Sequence, residues 1–214
     1  MEDNSFLAIG ITTPGSYISP DEEAAVIVRY LKSGAIDFFH IRKNETAREY
    51  VESLIECIPQ EYHQRLTLHS HFDIFSKFNF GGIHLKGDAA ELALSWILNP
   101  ALRLSRSCHC LEEIKVSDFS SPLGQQGYFF LSPIYDSISK DGYRSNFSLD
   151  NNLKFLNESH RVVALGGIKP DFFANLFDVK FAGAALLGYL WSPKPDIETK
   201  IRNLLEAKNS IKNY

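Results

Sequence analysis

Residues 6–41, FLAIGITTPGSYISPDEEAAVIVRYLKSGAIDFFHI, contain the pattern that decides the fold prediction. Residues 6–11 have the apolar composition of a buried strand. Ser19-Pro20-Asp21-Glu22 then combines a capping side chain, an early proline and first-turn acids, which together indicate the start of a helix. Gly34 ends that helix, and residues 37–41 are a second strand. The stretch therefore predicts a strand–helix–strand unit.

The same alternation continues along the chain. Six further short apolar strands are predicted at residues 66–69, 82–85, 102–105, 128–131, 162–165 and 182–187. Helical segments are predicted at residues 46–58, 73–78, 89–98, 111–116, 149–157, 170–177 and 196–213. Eight strands that alternate with helices favour an α/β (βα)₈ TIM barrel over an open doubly wound sheet. No linker or shift in composition interrupts the pattern, which predicts a single domain over residues 1–214.

Composition narrows the class of partner. The formal net charge of −4 argues against a broad nucleic-acid surface, because basic patches supply most of that affinity. Three cysteines do not make a disulfide framework. The N-terminus lacks the features of a signal peptide, and no stretch is long and apolar enough for a membrane span. We therefore expect a cytoplasmic protein with a small-molecule partner.

Glycines follow the last two predicted strands. Gly166 and Gly167 come after the seventh strand, and Leu187 and Gly188 come at the end of the eighth. TIM barrels commonly bind phosphate at this place, and glycine lets backbone N–H groups approach an anion closely. A chain turn without a ligand requires the same residues, so both interpretations stay open.

The loop after the sixth predicted strand carries Ser137, Ser139 and Lys140. Two hydroxyls and one ammonium group within four residues suit a cluster of anionic oxygens. A solvated surface loop has a similar composition and is the alternative.

Arg42 and Lys43 form a second basic site, at the end of the second predicted strand. An arginine at the active face can hold a phosphate through two parallel hydrogen bonds. The alternative is a surface ion pair between Arg42 and Glu45, which contributes little.

Histidines recur on or just after successive predicted strands: His40, His69, His71, His84 and His109. Imidazoles that converge at a barrel mouth can bind a metal ion. Such sites normally include a carboxylate, and only Asp88 lies near these histidines in sequence. We therefore expect packed or hydrogen-bonded histidines, with a metal-dependent hydrolase as an alternative.

The chain resembles the thiamine phosphate synthase/TenI family in six segments that follow the family's order: residues 39–42, 82–85, 107–113, 132–140, 164–168 and 183–188. The synthases of that family join a pyrimidine pyrophosphate to a thiazole phosphate, with Mg²⁺ on the leaving pyrophosphate. The resemblance therefore implies a TIM barrel, phosphorylated thiazole and pyrimidine ligands and a transferase reaction. A homodimer is a further expectation.

The resemblance also implies roles for individual residues. Arg42, Ser107 and Lys140 would face the pyrophosphate and stabilise the charge that develops as it departs. A larger set of residues would bind the substrate and its phosphate group: His40, Ser137, Ser139, Gly166, Gly167, Leu187 and Gly188.

The sequence departs from the family at the metal positions. The two carboxylates expected to bind Mg²⁺ correspond to Ser70 and Ala89, with Asp88 one position away. The TenI branch includes thiazole tautomerases, whose acid/base histidine corresponds to Pro133, so His109 or His40 would have to replace it. The resemblance favours the synthase reaction, and it leaves a TenI-like tautomerase and a non-catalytic thiazole or thiamine phosphate binder as alternatives.

Overall fold

A computed structural model describes residues 6–85, 102–115, 127–135 and 161–212. Within these ranges eight parallel strands form a closed barrel in sequence order, and the last strand pairs with the first. The strands are β1 (Leu7–Ile11), β2 (Phe38–Ile41), β3 (Leu66–Leu68), β4 (Gly82–Leu85), β5 (Arg103–Cys108), β6 (Tyr128–Leu131), β7 (Val162–Leu165) and β8 (Gly183–Leu186). The predicted TIM barrel is confirmed.

The described helices lie between the strands and after β8. They are α1 (Pro20–Ser33), α2 (Arg48–Glu56), α3 (Leu111–Lys115), α4 (Phe173–Asp178), α5 (Gly188–Trp191) and α6 (Ile197–Lys212). Three 3₁₀ segments occupy Gln60–Arg65, Phe72–Lys77 and Pro170–Phe172. None of the helices within these ranges is long and apolar enough to cross a bilayer.

Helix α1 begins and ends where its sequence predicts. The Glu22 carboxylate accepts hydrogen bonds from the Ser19 backbone N–H at 3.1 Å and from the Ser19 hydroxyl at 2.9 Å. Gly34 has a left-handed φ of 74°, and its N–H donates to the Leu31 carbonyl at 3.2 Å. A glycine ends the helix here because this conformation is strained for other residues.

Two local predictions need correction, and two lie outside the described residues. The helix predicted at 73–78 is the 3₁₀ segment Phe72–Lys77. Strand β5 continues three residues past the predicted end at Ser105. The prediction missed this extension because the polar residues there do not show the apolar pattern of a buried strand. The helices predicted at 89–98 and 149–157 lie outside the described ranges.

The barrel interior is divided into two halves of different polarity. An apolar half is formed by β1 and β6–β8 with the side chains of Leu7, Ile9, Ile11, Phe130, Val163 and Ala185. A polar half is formed by β2–β5 with His40, Thr67, His84, Arg103 and Ser105, all of which are buried. The polar half extends past β3 to His69, which is also buried.

Candidate functional site

A cavity of about 930 Å³ opens at the carboxyl ends of the strands. This is the end at which TIM barrels hold their ligands. Its lining includes Ile11, Thr13, Pro14, Tyr17, Arg42, Glu45, His69, His84, Leu85, Arg106, Ser107, His109, Glu113, Phe130, Ser132, Pro133, Leu165, Gly166, Gly167, Ile168, Ala185, Leu187 and Gly188. The structure thus brings Arg42, Ser107, His109, the glycine turn after β7 and Gly188 at the start of α5 to one cavity.

Arg42 lines this cavity and is half-buried there. Its backbone N–H donates to Thr12 Oγ1 at 2.8 Å, and the Thr12 hydroxyl donates to the Arg42 carbonyl at 3.2 Å. In the part of the chain that the structure describes, no hydrogen bond or ion pair engages the guanidinium, and none joins it to Glu45. Arg42 is therefore held through its backbone while its charged group remains available to an anionic ligand.

Lys43 does not share this position, and its prediction as a second cation at the active face is wrong. Its ammonium group forms an ion pair with Glu23 at 2.8 Å in which both side chains are only 1% exposed. It also donates to the Gly15 carbonyl at 2.6 Å, and Tyr50 donates to Glu23 at 2.8 Å. Lys43 therefore binds the β2 end to α1 and to the loop after β1.

The glycine turn after β7 is required by the backbone. Gly166 and Gly167 have φ values of 98° and 65°, which other residues rarely adopt. A Cβ atom on Gly166 would lie 2.8 Å from Pro133 Cα. The turn interpretation is thus sufficient for Gly166. Its position on the cavity, with Gly167, Leu187 and Gly188, also fits a phosphate.

Strand β5 contributes two polar residues to the wall of the cavity. Ser107 Oγ lies 3.0 Å from Nε2 of His84. Arg106, beside it, adds a second cation that sequence reasoning missed, because the fifth strand was predicted to end at Ser105. The available signal was Ser107, which the family resemblance already placed at the pyrophosphate, because Arg106 is its neighbour in sequence.

Three histidines converge where the polar half of the interior meets the cavity. Nδ1 of His40 lies 2.7 Å from Nε2 of His69, and the rings of His69 and His84 stack with centroids 4.0 Å apart. His84 Nδ1 lies 2.9 Å from Ser105 Oγ. The three imidazoles form the histidine cluster of this protein.

His40 lies beneath the cavity surface, so its prediction as a direct substrate contact is wrong. The residue is fully buried and bonded through both ring nitrogens, to His69 and, at 2.5 Å, to the Tyr128 hydroxyl. Burial, followed by the charges of His84 and Arg103, lowers the pKa of His40 well below its usual value. Burial likewise raises the pKa of Tyr128 to about 12. Both groups are therefore neutral at pH 7.

The other two predicted histidines are outside this cluster. His109 is exposed and lines the cavity, with Nδ1 3.1 Å from the Ser132 carbonyl oxygen. His71 points its Nε2 at the carbonyls of Lys43 and Thr46, at 3.3 and 3.0 Å. His109 therefore remains a candidate acid/base, whereas His71 stabilises the loop after β2.

The described residues do not fit the Mg²⁺ site that the resemblance implies. Mg²⁺ prefers carboxylate oxygens, and Ser70 offers one neutral hydroxyl that is buried without a hydrogen-bond partner and does not line the cavity. The carboxylates that do line the described cavity are Glu45 and Glu113, and Glu113 accepts the His109 backbone N–H at 2.8 Å. The remaining predicted site residues lie outside the described ranges: Asp88, Ala89, Ser137, Ser139 and Lys140.

The fold and the cavity define a TIM-barrel protein with cations and glycine turns at the carboxyl ends of its strands. Comparison with known families specifies the class further. The family model for thiamine monophosphate synthase (TMP-TENI) matches residues 9–190. The chain belongs to this family, and its function is thiamine-related.

Solved structures agree with this assignment. The chain is 28% identical to a thiamine phosphate pyrophosphorylase from Bacteroides thetaiotaomicron, with a TM-score of 0.71 and coverage of 97% of this chain and 98% of that one. A thiamine phosphate pyrophosphorylase from Pyrococcus furiosus is 19% identical with the same TM-score and coverage. A 3-hexulose-6-phosphate synthase from Salmonella typhimurium is 8% identical, with a TM-score of 0.65 over 95% of this chain and 99% of that one, and shares the fold. No curated protein sequence matches this chain at a significant level.

Proposed function

We propose that this protein binds thiazole phosphate in the cavity and couples it to a pyrimidine pyrophosphate. In this reaction a bond forms between the thiazole nitrogen and the pyrimidine methylene carbon, and the bond from that carbon to pyrophosphate breaks. The observation that carries the proposal is the Arg42 guanidinium, which faces the cavity without a protein partner among the described residues.

Charge supports the proposed arrangement of the substrates. Arg42 and Arg106 both line the cavity and supply the positive charge that a departing pyrophosphate needs. Ser107 adds a hydroxyl beside Arg106. The thiazole phosphate is assigned to the turn at Gly167 and to Gly188 at the start of α5, where backbone N–H groups can approach its oxygens. Family resemblance adds Lys140 to the pyrophosphate side and Ser137 and Ser139 to the phosphate side.

A turnover assay tests this proposal. The purified chain is mixed with pyrimidine pyrophosphate and thiazole phosphate over a range of Mg²⁺ concentrations, and pyrophosphate release and thiamine phosphate formation are followed together. Loss of one group that stabilises developing charge commonly reduces the rate by about 10²–10³. We expect that loss for Arg42→Ala and for Lys140→Ala, and a smaller loss for Arg42→Lys.

The matched control is Arg202→Ala, which removes an exposed arginine from α6. Its rate should equal that of the wild type. If the Arg42→Ala variant turns over at the wild-type rate, the proposed role of Arg42 is contradicted. If the chain binds thiamine phosphate tightly and shows no turnover, the proposed transferase is wrong and the non-catalytic binder is the better assignment.

The position of His109 favours one second candidate, a TenI-like thiazole tautomerase. The His109 ring is exposed on the cavity wall, where it can reach a bound thiazole, whereas His40 is enclosed beneath that wall. Isomerisation of a thiazole carboxylate phosphate, measured by NMR and abolished by His109→Ala, would support the tautomerase. Isomerisation that persists in His109→Ala would remove this residue as its acid/base.

A further inference from the structure

We propose that His40, His69 and His84 form a binding site for a divalent transition metal ion such as Zn²⁺. One ring nitrogen from each residue lies within 4.8 Å of the other two, and all three side chains are buried. Imidazole nitrogen is a common ligand of zinc and of neighbouring transition metals. This site does not depend on the proposed transferase reaction.

The three ligand nitrogens lie within 4.8 Å of one another, and a bound ion would require the stacked rings of His69 and His84 to turn so that both lone pairs point at it. Zinc–nitrogen bonds of about 2.0–2.1 Å place the ligand atoms of a tetrahedral site about 3.3 Å apart. His40 Nδ1 and His69 Nε2 are now 2.7 Å apart and share one hydrogen bond. Metal binding would separate them by about 0.6 Å, with each ring offering one nitrogen to the ion and keeping an N–H on the other. No net proton has to leave.

Hydrogen-bond acceptors already stand behind two of the rings. His40 Nε2 lies 2.5 Å from the Tyr128 hydroxyl, so its N–H can be donated there while Nδ1 binds the ion. The two nitrogens of His84 lie 2.9 and 3.0 Å from the hydroxyls of Ser105 and Ser107. Whichever nitrogen of His84 binds the ion, a serine can accept from the other. Metal-binding histidines usually have such partners, which orient the ring.

The cavity provides a path for the ion and would allow a fourth ligand to reach it from the side of His69 and His84. His69 and His84 both line the cavity, whereas His40 forms the floor beneath them. Three protein ligands with a fourth position open to solvent is the arrangement of catalytic rather than structural zinc sites. The open position could take water or an oxygen of an anionic ligand. No carboxylate belongs to this group within the described residues, so imidazole-preferring ions are favoured over Mg²⁺.

The test measures metal binding directly, with no thiamine precursor present. The full chain is stripped with a chelator and titrated with Zn²⁺, and bound metal is measured by elemental analysis. We expect one ion per chain and a melting temperature about 5–10 °C higher when free Zn²⁺ is 100-fold above Kd. Co²⁺ should give the absorption bands of a tetrahedral nitrogen site, without the thiolate charge-transfer bands that a cysteine ligand would produce.

Variants locate the ion. His69→Ala should weaken Zn²⁺ binding by at least about 100-fold, and Tyr128→Phe, which removes one supporting hydroxyl, by about 10–100-fold. The matched control is His63→Gln. His63 is a buried histidine that precedes β3, the strand that His69 follows, and its ring bonds the Ile58 carbonyl at 2.9 Å. Its affinity should be unchanged.

The proposal is overturned if the wild type binds less than one-tenth of an equivalent of Zn²⁺ at saturating concentration. It is also overturned if His69→Ala and His84→Ala bind Zn²⁺ as tightly as the wild type. Should both alanine variants fail to fold, unchanged affinity in Tyr128→Phe together with thiolate bands in the wild-type Co²⁺ spectrum would exclude the histidine cluster. The remaining interpretation would be a hydrogen-bonded network without metal.

Discussion

The buried side chains of the two halves of the barrel interior are stabilised in different ways. In the apolar half, Ile9 and Val163 are completely buried among other aliphatic and aromatic side chains. Such contacts are non-directional, and each buried side chain contributes through the area that it removes from water. In the polar half, His40 and Ser105 are equally buried and depend on hydrogen bonds of defined geometry.

The difference indicates which half carries the chemistry. Burying polar groups costs free energy unless every group finds a partner, so a polar half gives less stability than an apolar one of the same volume. Aliphatic residues would fill the same space more simply. Both halves reach the cavity: His69 and His84 line it on the polar side, and Ile11, Phe130 and Ala185 line it on the apolar side. The polar half contributes the ring nitrogens that can bind an ion there. We therefore expect stability to depend mainly on the apolar half and metal binding on the polar half.

The largest expected effect on stability comes from Ile9→Ala. Ile9 is 0% exposed, and truncation of a buried isoleucine costs about 2–5 kcal/mol because a cavity replaces its contacts. Urea denaturation should show that loss, while Zn²⁺ affinity measured on the folded protein should not change. Ile18→Ala is the control, because Ile18 is 40% exposed and its truncation should cost little. A large loss of Zn²⁺ affinity in Ile9→Ala would contradict the expectation that metal binding depends on the polar half alone.

A smaller loss of stability is expected for His40→Leu, at about 2–4 kcal/mol. Leucine fills a similar volume but removes the hydrogen bonds of the His40 ring to a His69 nitrogen and to the Tyr128 hydroxyl, at about 1–3 kcal/mol for each buried polar group that loses its bond to His40. Zn²⁺ binding should be lost in the same variant. His40→Gln, which keeps a donor and an acceptor, should recover part of the stability. If His40→Leu is as stable as the wild type, the polar half is not a coupled network.

Introducing a hydroxyl into the apolar half should cost about 1–3 kcal/mol. Val163→Thr preserves the shape of a fully buried side chain but places an unpaired hydroxyl among aliphatic neighbours. Thermal unfolding should detect a fall of several degrees, and Zn²⁺ affinity should stay at the wild-type value. An unchanged melting temperature would mean that a polar partner is accessible in this half.

The smallest stability effect is expected for Ser105→Ala, at about 0.5–1.5 kcal/mol. The change removes the hydrogen bond between Ser105 Oγ and His84 Nδ1 and the weaker one, at 3.5 Å, to the Ile83 carbonyl, and it leaves the ring in place. Zn²⁺ affinity should fall by about 10-fold or more, which is a larger effect than stability alone implies. Ser210→Ala on α6 serves as the control. If stability falls while Zn²⁺ affinity is retained, Ser105 has a packing role only.

The barrel itself could be predicted from local patterns. The start of α1 at Ser19–Glu22 and its end at Gly34 depend on neighbouring residues, and both are found where the sequence places them. Short apolar runs likewise identify all eight strands, although polar Arg106 and Ser107 concealed the end of β5. These features are accessible because capping, turns and apolar strand composition act over a few residues.

The roles of adjacent basic residues could not be predicted in this way. Arg42 and Lys43 are neighbours in sequence, yet one faces the cavity and the other is enclosed against Glu23, 20 positions earlier in the chain. Consecutive residues at a strand end point to opposite sides, and the partner of each is set by packing between distant segments. The same limit applies to His40, whose partner Tyr128 lies 88 residues away.

The sequence by itself determined the alternation of strands and helices, the family and the positions of the glycine turns. Those properties follow from local backbone preferences and from motifs that keep their order along the chain. Only the tertiary structure decided that His40, His69 and His84 meet, that Lys43 is buried and that Arg42 is not engaged by the described residues. Parallel pairing of consecutive strands places β2, β3 and β4 side by side, and a contact between side chains on different strands depends on register and burial, which no single segment encodes.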